Sequence, residues 1–296
     1  MDMLGDRYEI TSPIGRGGMG EVFRGRDIRL RREVAIKRIG GTLVDDEEAR
    51  RRFVREARIT SRLHHPGVPT VFDFDEDELY LVMELLPPDN IGTLLADREY
   101  RGLPLGWAVS ITAQVCAVMT AAHDVELIHR DLKPDNLVLC PNGQVKVIDF
   151  GAAASLNQTE YSMITRGRRP PVSLHYSAPE LLDGAPSSRA NDLYSIGVLL
   201  FELLSGRRPF DSGKLTDGFL ADRTARPPIP GIPADLLRLT HNLLAVDPAQ
   251  RPADTRTALR TLAAFAGPVP PLPGWAHPGP ADDPVRLYVD ALPSPA

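Results

Sequence analysis

Cross-linking chemistry is nearly absent from this chain: 296 residues include only two cysteines, Cys116 and Cys140. Both lie in apolar runs without Cys-x-x-Cys spacing, which excludes a disulfide framework and a zinc ribbon and favours a reducing compartment. Long hydrophobic runs are also missing. The longest mostly apolar stretch, Val109 to Ala122, is 14 residues and contains Ser110, Thr112 and Gln114, short of the roughly 20 residues that span a bilayer. No basic segment followed by an apolar one opens the sequence, so the expectation is a soluble, cytoplasmic protein with no membrane span. Positive charge is in deficit, and a formal net charge of −5 argues against a dedicated nucleic-acid surface. Lysine is scarcest of all. Of 34 cationic residues only Lys37, Lys133, Lys146 and Lys214 are Lys, so each one asks what a compact ammonium does there that a guanidinium cannot.

The length suits one large domain or two small lobes sharing a cleft, with a sizeable core and no need of staples. Short β-like runs (Tyr8 to Ile10, Glu21 to Arg24, Val34 to Ile39, Val68 to Phe74, Leu79 to Met83) and one helix fill the first eighty residues, whereas 105–265 read mostly as helix. This predicts an α+β protein with a β-rich N-lobe over 8–86 and a mostly helical C-lobe over 87–265. Residues 267–296 hold nine of the 28 prolines, so 266–296 is expected to be an extended or disordered tail, with Trp275 and the alternating apolar patch Val285 to Val289 as the parts able to dock on the larger lobe. The N-lobe helix, Asp45 to His64, has an inward stripe of Ala49, Phe53, Glu56, Ala57, Thr60 and Leu63. Glu56 on that face calls for a cationic partner, because ionised carboxylates are not buried unpaired.

Two constellations carry the chemistry. Gly15-Arg16-Gly17-Gly18-Met19-Gly20 fits Gly-x-Gly-x-x-Gly, which alone suits either a dinucleotide or a phosphate turn. A dinucleotide turn opens a helix, but here further extended residues follow, so the glycines cap a hairpin whose backbone approaches phosphate oxygens. Lys37, ending Val34-Ala35-Ile36-Lys37, suits a point contact to phosphate while pairing with Glu56. The second constellation is His129-Arg130-Asp131-Leu132-Lys133-Pro134-Asp135-Asn136, followed by Asp149-Phe150-Gly151. Between them, two apolar runs flank Asn142-Gly143, a hairpin signal. With those two as the loop, 138 faces 147 and Asn136 faces Asp149, an amide oxygen and a carboxylate suited to a hard Mg²⁺. Asp131 is then placed to orient an incoming hydroxyl, and Lys133 to neutralise a transferred phosphoryl.

In these motifs, their order and their spacing, residues 7 to about 265 resemble the protein kinases, and more closely the bacterial eukaryotic-like Ser/Thr protein kinases. The resemblance implies the two-lobed kinase fold, ATP with Mg²⁺ (or Mn²⁺) as cofactors, and transfer of the γ-phosphoryl to Ser/Thr hydroxyls of protein substrates. It implies that Ile14, Gly15, Gly17, Gly18 and Gly20 cover the ATP phosphates, that Lys37 holds them and that Glu56 locks Lys37. Asp131 becomes the catalytic base with Lys133 beside it, Asn136 and Asp149 the metal ligands, and Val22, Ala35 and Val138 the adenine sandwich. Met83 precedes a hinge at Glu84, Leu85 and Leu86. Tyr176-Ser177-Ala178-Pro179-Glu180 matches the end of an activation segment, and Arg251 is placed to pair with Glu180.

Taken singly, Lys37 also fits a snorkelling surface lysine, and Asp149 a turn aspartate. Together they argue against a non-catalytic scaffold, which is distinguished by loss of Lys37, Asp131, Asn136 or Asp149, and against a small-molecule kinase, which generally lacks Ala178-Pro179-Glu180 and Lys133-Pro134. Departures from the pattern are Pro87-Pro88 after the hinge, implying stiffness, and Val172-Ser173 where relatives carry Gly-Thr. Arg130 before Asp131 implies control by a phosphorylated activation segment, with Thr165 the best candidate, modified by trans-autophosphorylation in a transient homodimer.

Overall fold

The computed structural model describes residues 2–17, 20–40, 44–96, 102–150, 154–155, 175–210, 228–272 and 283–292. They divide into a sheet unit (1–64, 68–88 and 148–151) and a helical unit (65–67, 89–147 and 152–296).

Alternation along short apolar strands builds the sheet unit. Its strands are β1 (Asp2–Leu4), β2 (Tyr8–Gly17), β3 (Gly20–Asp27), β4 (Arg32–Arg38), β5 (Val71–Asp75) and β6 (Tyr80–Met83), antiparallel in the order β1-β2-β3-β4-β6-β5. Period-two patterning sends Val34, Ile36, Tyr80 and Val82 to one side, where they pack with Leu4 and Tyr8. The opposite side carries Leu81 with Met83 packed against it, and receives Phe53 and Ala57 of α1 (Glu47–Arg62). Burial on both faces explains why Val34-Ala35-Ile36 is continuously apolar. α1 starts where Asp46 Oδ1 accepts from Glu48 N and Ala49 N at 2.9 and 3.2 Å. Its buried residues include all five of Ala49, Phe53, Glu56, Ala57 and Thr60.

The helical unit surrounds α3 (Leu105–Asp124), which follows the short α2 (Ile91–Ala96) and is buried nearly all round. Among the described residues it is the one helix long and apolar enough to cross a membrane, and 83% of that stretch lies inside the protein. Three of its polar residues are satisfied through backbone: Thr112 and Thr120 each donate to the carbonyl four residues back at 2.8 Å, and Gln114 reaches the hairpin described below. Burial pushes the Cys116 thiol up to about 12, so it serves packing rather than reactivity. The unit continues with α4 (Pro179–Leu182), α5 (Arg189–Ser205), α6 (Ala234–Leu243), α7 (Thr255–Ala263) and α8 (Pro284–Asp290), of which α5, α7 and α8 pack against α3. Strand β7 (Leu127–Ile128) pairs with β10 (Ala154–Ser155), and β8 (Leu137–Leu139) with β9 (Val145–Val147).

Two expectations change. In the β8–β9 hairpin the partners are Leu137↔Val147, Val138↔Lys146 and Leu139↔Val145, one residue off the pairing of 138 with 147. Cys140 N donates to Gln144 O and Gly143 N to Cys140 O, both at 2.8 Å, which closes a three-residue loop with Gly143 at φ 80. The register arithmetic that set Asn136 opposite Asp149 therefore fails. The tail differs as well. Asp283 Oδ1 accepts from Val285 N at 2.9 Å and caps α8, whose Pro284, Val285 and Tyr288 are buried, while Leu272 is buried and Pro270 O accepts from Trp107 Nε1 at 2.7 Å. The described tail residues are thus docked on the helical unit, because one face of α8 buries an aromatic ring that composition alone does not reveal.

Candidate active site

In the sheet unit, register places Lys37 between Val22 and Leu81, and Ala35 beside Met83. Directly paired residues share a face, so Lys37 lies on the side that α1 covers. Its Nζ donates to Glu56 Oε1 at 2.5 Å and stands 3.6 Å from Asp149 Oδ1. Burial works against the Lys37 ammonium, and the two facing carboxylates more than reverse it, holding Lys37 above its ordinary value. Burial also pushes Glu56 above the usual carboxylate range, against the pull of Lys37. Among the described residues, the buried Glu56 Oε2 has no hydrogen-bond partner. Asp149 is held at φ 63, a left-handed conformation uncommon for a non-glycine residue.

The β2–β3 hairpin pairs Gly15 with Val22 and Gly17 with Gly20. A Cβ on Gly20 would lie 1.9 Å from Arg38 O, so no larger residue fits. Ile14 is exposed, and Gly18 lies outside the described residues. Glu84 N donates to Thr70 O at 2.8 Å and Glu84 Oε2 accepts from Thr70 N at 3.1 Å, fixing the chain that continues through Leu86.

In the helical unit, Asp131, Lys133 and Asn136 converge. Lys133 Nζ donates to Asp131 Oδ2 at 2.7 Å, and Asn136 Nδ2 donates to Asp131 O at 2.8 Å and to Oδ2 at 3.2 Å. With its nitrogen committed to Asp131, the Asn136 side chain has Oδ1 left for a cation. Val138 is buried in β8 and bridges to Asn90. The turn carrying Asp131 is held from beneath by Asp192 of α5. Asp192 Oδ2 accepts from His129 N at 3.0 Å and lies 2.9 Å from His123 Nε2, while Oδ1 accepts from Arg130 N at 3.0 Å. Arg130 sits at φ 72, a strain this carboxylate offsets. Burial opposes ionisation of Asp192, but hydrogen bonds and charge from His123, His129 and Arg130 hold its carboxyl below the usual range. His129 is buried, and its Nδ1 accepts from Asp131 N at 3.3 Å.

Arg251 makes a two-pronged pair with Glu180, NH1 to Oε1 and NH2 to Oε2 at 2.7 Å each. Asn191 Nδ2 also donates to Glu180 Oε1 at 2.6 Å. Tyr176 OH bonds Glu202 Oε2, and Tyr176 O accepts from Ser195 Oγ at 2.8 Å. Gly151, Thr165, Val172 and Ser173 lie outside the described residues. Sequence reasoning missed His123, Asn191 and Gln114. For Gln114 a signal existed, since an amide inside an apolar helix needs partners, and it finds them in Gly143 O at 3.1 Å and Val145 N at 2.9 Å.

Comparison with known proteins identifies the family. The model for the protein kinase domain covers residues 8–261. Serine/threonine-protein kinase PknA of Mycobacterium tuberculosis is 35% identical over 306 residues, covering 98% of this chain and 68% of that protein. Serine/threonine-protein kinase PrkC of Bacillus subtilis is 35% identical over 257 residues, 84% of this chain and 39% of the relative. Serine/threonine-protein kinase pkn3 of Myxococcus xanthus is 36% identical over 262 residues, 83% and 48%. Family and geometry together imply use of ATP and a divalent cation and action on proteins, and the chain belongs to the protein kinase family, with bacterial serine/threonine-protein kinases as its relatives.

Proposed function

We propose that this kinase transfers the γ-phosphoryl group of Mg-ATP to Ser and Thr hydroxyls of proteins, its own chain included, with its functional lobes at 8–86 and 87–265. The observation that carries the reading is the convergence of Lys133 and Asn136 on one carboxylate oxygen of Asp131. Asp131 orients the acceptor hydroxyl and takes its proton as the oxygen–phosphorus bond forms and the bond to the departing ADP breaks. Lys133 offsets charge on the phosphoryl oxygens when a short hydroxyl side chain is the acceptor, which favours Ser and Thr over Tyr.

Asn136 Oδ1 and the Asp149 carboxylate are hard oxygen donors and fit Mg²⁺, with Mn²⁺ as a substitute. The bound cation supplies neutralisation of phosphate charge. Lys37, oriented by Glu56, would hold the nucleotide's α- and β-phosphates together with Ile14, Gly15, Gly17, Gly18 and Gly20. Val22, Ala35, Met83 and Val138 bind adenine, and Glu84 and Leu86 offer it backbone groups. Thr165 is the proposed phosphorylation site, reached in trans in a transient homodimer. A cytoplasmic location accords with ATP use and with two free cysteines.

Asp131→Asn tests the reading. Turnover falls by about 10³-fold or more while nucleotide affinity stays within about twofold of the parent, measured by ³²P incorporation and nucleotide titration. Labelling at the parent rate would overturn the assignment of Asp131.

A further inference from the structure

The outer edge of β9 is completed from three distant places. Val145 is fully buried, and a buried backbone donor or acceptor needs a partner. Its N–H goes to Gln114 Oε1 at 2.9 Å and its carbonyl accepts from Tyr288 OH at 2.7 Å, while Val147 N donates to Gly67 O at 2.8 Å. Tyr288 belongs to α8 in the tail, has no exposed surface, and also governs the turn that supplies Gly67. The His65 ring stands edge-on to the Tyr288 ring, with centroids 5.1 Å apart at 86°. His65 Nδ1 accepts from Gly67 N at 3.0 Å, and a Cβ on Gly67 would meet Val118 Cγ2 at 2.3 Å and Tyr288 Cε2 at 2.8 Å. Burial draws His65 down to about 4, against a smaller opposing effect of the Tyr288 backbone, so its ring is neutral.

One tail side chain therefore touches both the strand that ends two residues before Asp149 and the turn that follows, three residues on, from the helix bearing Glu56. We propose that Tyr288 is a positioning residue: its hydroxyl, bound to Val145 O, holds β9 and through it the placement of Asp149 for the divalent cation, so that α8 is a working part of the catalytic domain. The inference rests on the assignment of Asp149 to the cation made above.

Tyr288→Phe keeps the ring and its packing and deletes only the hydroxyl, which leaves Val145 O buried without its donor. Two readouts are taken on the full chain. Without nucleotide, hydrogen exchange at the Val145 and Val147 amides is expected to speed up by about tenfold while α5 amides stay as in the parent. With nucleotide, the Mg²⁺ concentration for half-maximal rate is expected to rise by about threefold or more, and excess Mg²⁺ to restore kcat. Trp107→Phe, which frees the Pro270 carbonyl without touching β9, is expected to leave both readouts unchanged. The proposal is overturned by unchanged exchange at β9, by faster exchange spread equally over α5, by an unaltered Mg²⁺ dependence, or by the same shifts in Trp107→Phe. Asp149→Ala is run alongside. If that variant leaves the Mg²⁺ dependence unaltered, the cation assignment is what fails, and the exchange readout alone decides whether Tyr288 holds β9.

Discussion

Glu56 and Asp192 are both buried carboxylates, one in the sheet unit and one in the helical unit, and they are held in opposite ways. Asp192 has both oxygens occupied, by two backbone amides and His123, and its carboxyl lies below the ordinary range. Glu56 has one short contact to Lys37, a second oxygen without a partner among the described residues, and a carboxyl raised by burial. A carboxylate satisfied on all sides is a fixture, whereas one held by a single ammonium has only that contact to compensate its burial. The helical unit thus carries a fully bonded support for Asp131, and the sheet unit a carboxylate that relies on one contact to Lys37.

The largest effect expected to separate them is on stability. Asp192→Ala leaves two buried amides and His123 without their acceptor and is expected to cost about 3–5 kcal/mol in urea unfolding, with loss of activity because Asp131 loses its support. A cost near that of an ordinary surface substitution would erase the contrast. Glu56→Gln is expected to cost about 1 kcal/mol or less, yet to lower kcat/KM by about 10–100-fold, since misplacing Lys37 affects only the reaction. Lys37→Arg is expected to lower activity similarly despite the conserved charge, because a planar fork cannot take the place of an ammonium 2.5 Å from Glu56. Should Glu56→Gln unfold the chain while Asp192→Ala is tolerated, the two carboxylates have exchanged roles.

The smallest expected effect depends on pH and sharpens the contrast with a buried group held neutral. His65 titrates at about 4 in the folded chain, below its ordinary value of 6.5. Between those values the unfolded chain binds a proton that the folded chain does not, so stability falls as pH drops from about 6.5 towards 4. Urea unfolding at pH 7 and pH 5 is expected to show the parent losing about 1–2 kcal/mol more than His65→Asn. Equal losses would mean that His65 titrates normally.

Much of the site was legible because catalytic loops compress their chemistry into contiguous residues: Asp131, Lys133 and Asn136 fall within six positions, and their convergence needs only a local turn. The Lys37–Glu56 pair was legible from a single anomaly, a carboxylate on an apolar helix face. The hairpin register was not, since Asn-Gly suits a two-residue loop while Pro141 joins the turn and shifts the pairing by one. The apolar patch Val285 to Val289 was legible as able to dock, but its helical form was missed, although Asp283-Pro284 is a cap followed by proline at the first helical position. Its surrounding prolines dominated the composition, and its partner Val145 lies too far away for any local pattern to indicate.

That distance also sets an order of events. Gln114 and Gly67 precede Val145 in the chain and are on hand as soon as β9 is made, but Tyr288 follows it by 143 residues. At ribosomal speeds of roughly 5–20 residues per second, this places the last donor roughly 7–30 s behind the strand it completes. Through that interval the nascent chain already carries Asp131, Asn136 and Asp149 while β9 lacks one of its edge partners. Completion of the strand is thereby tied to synthesis having passed residue 288.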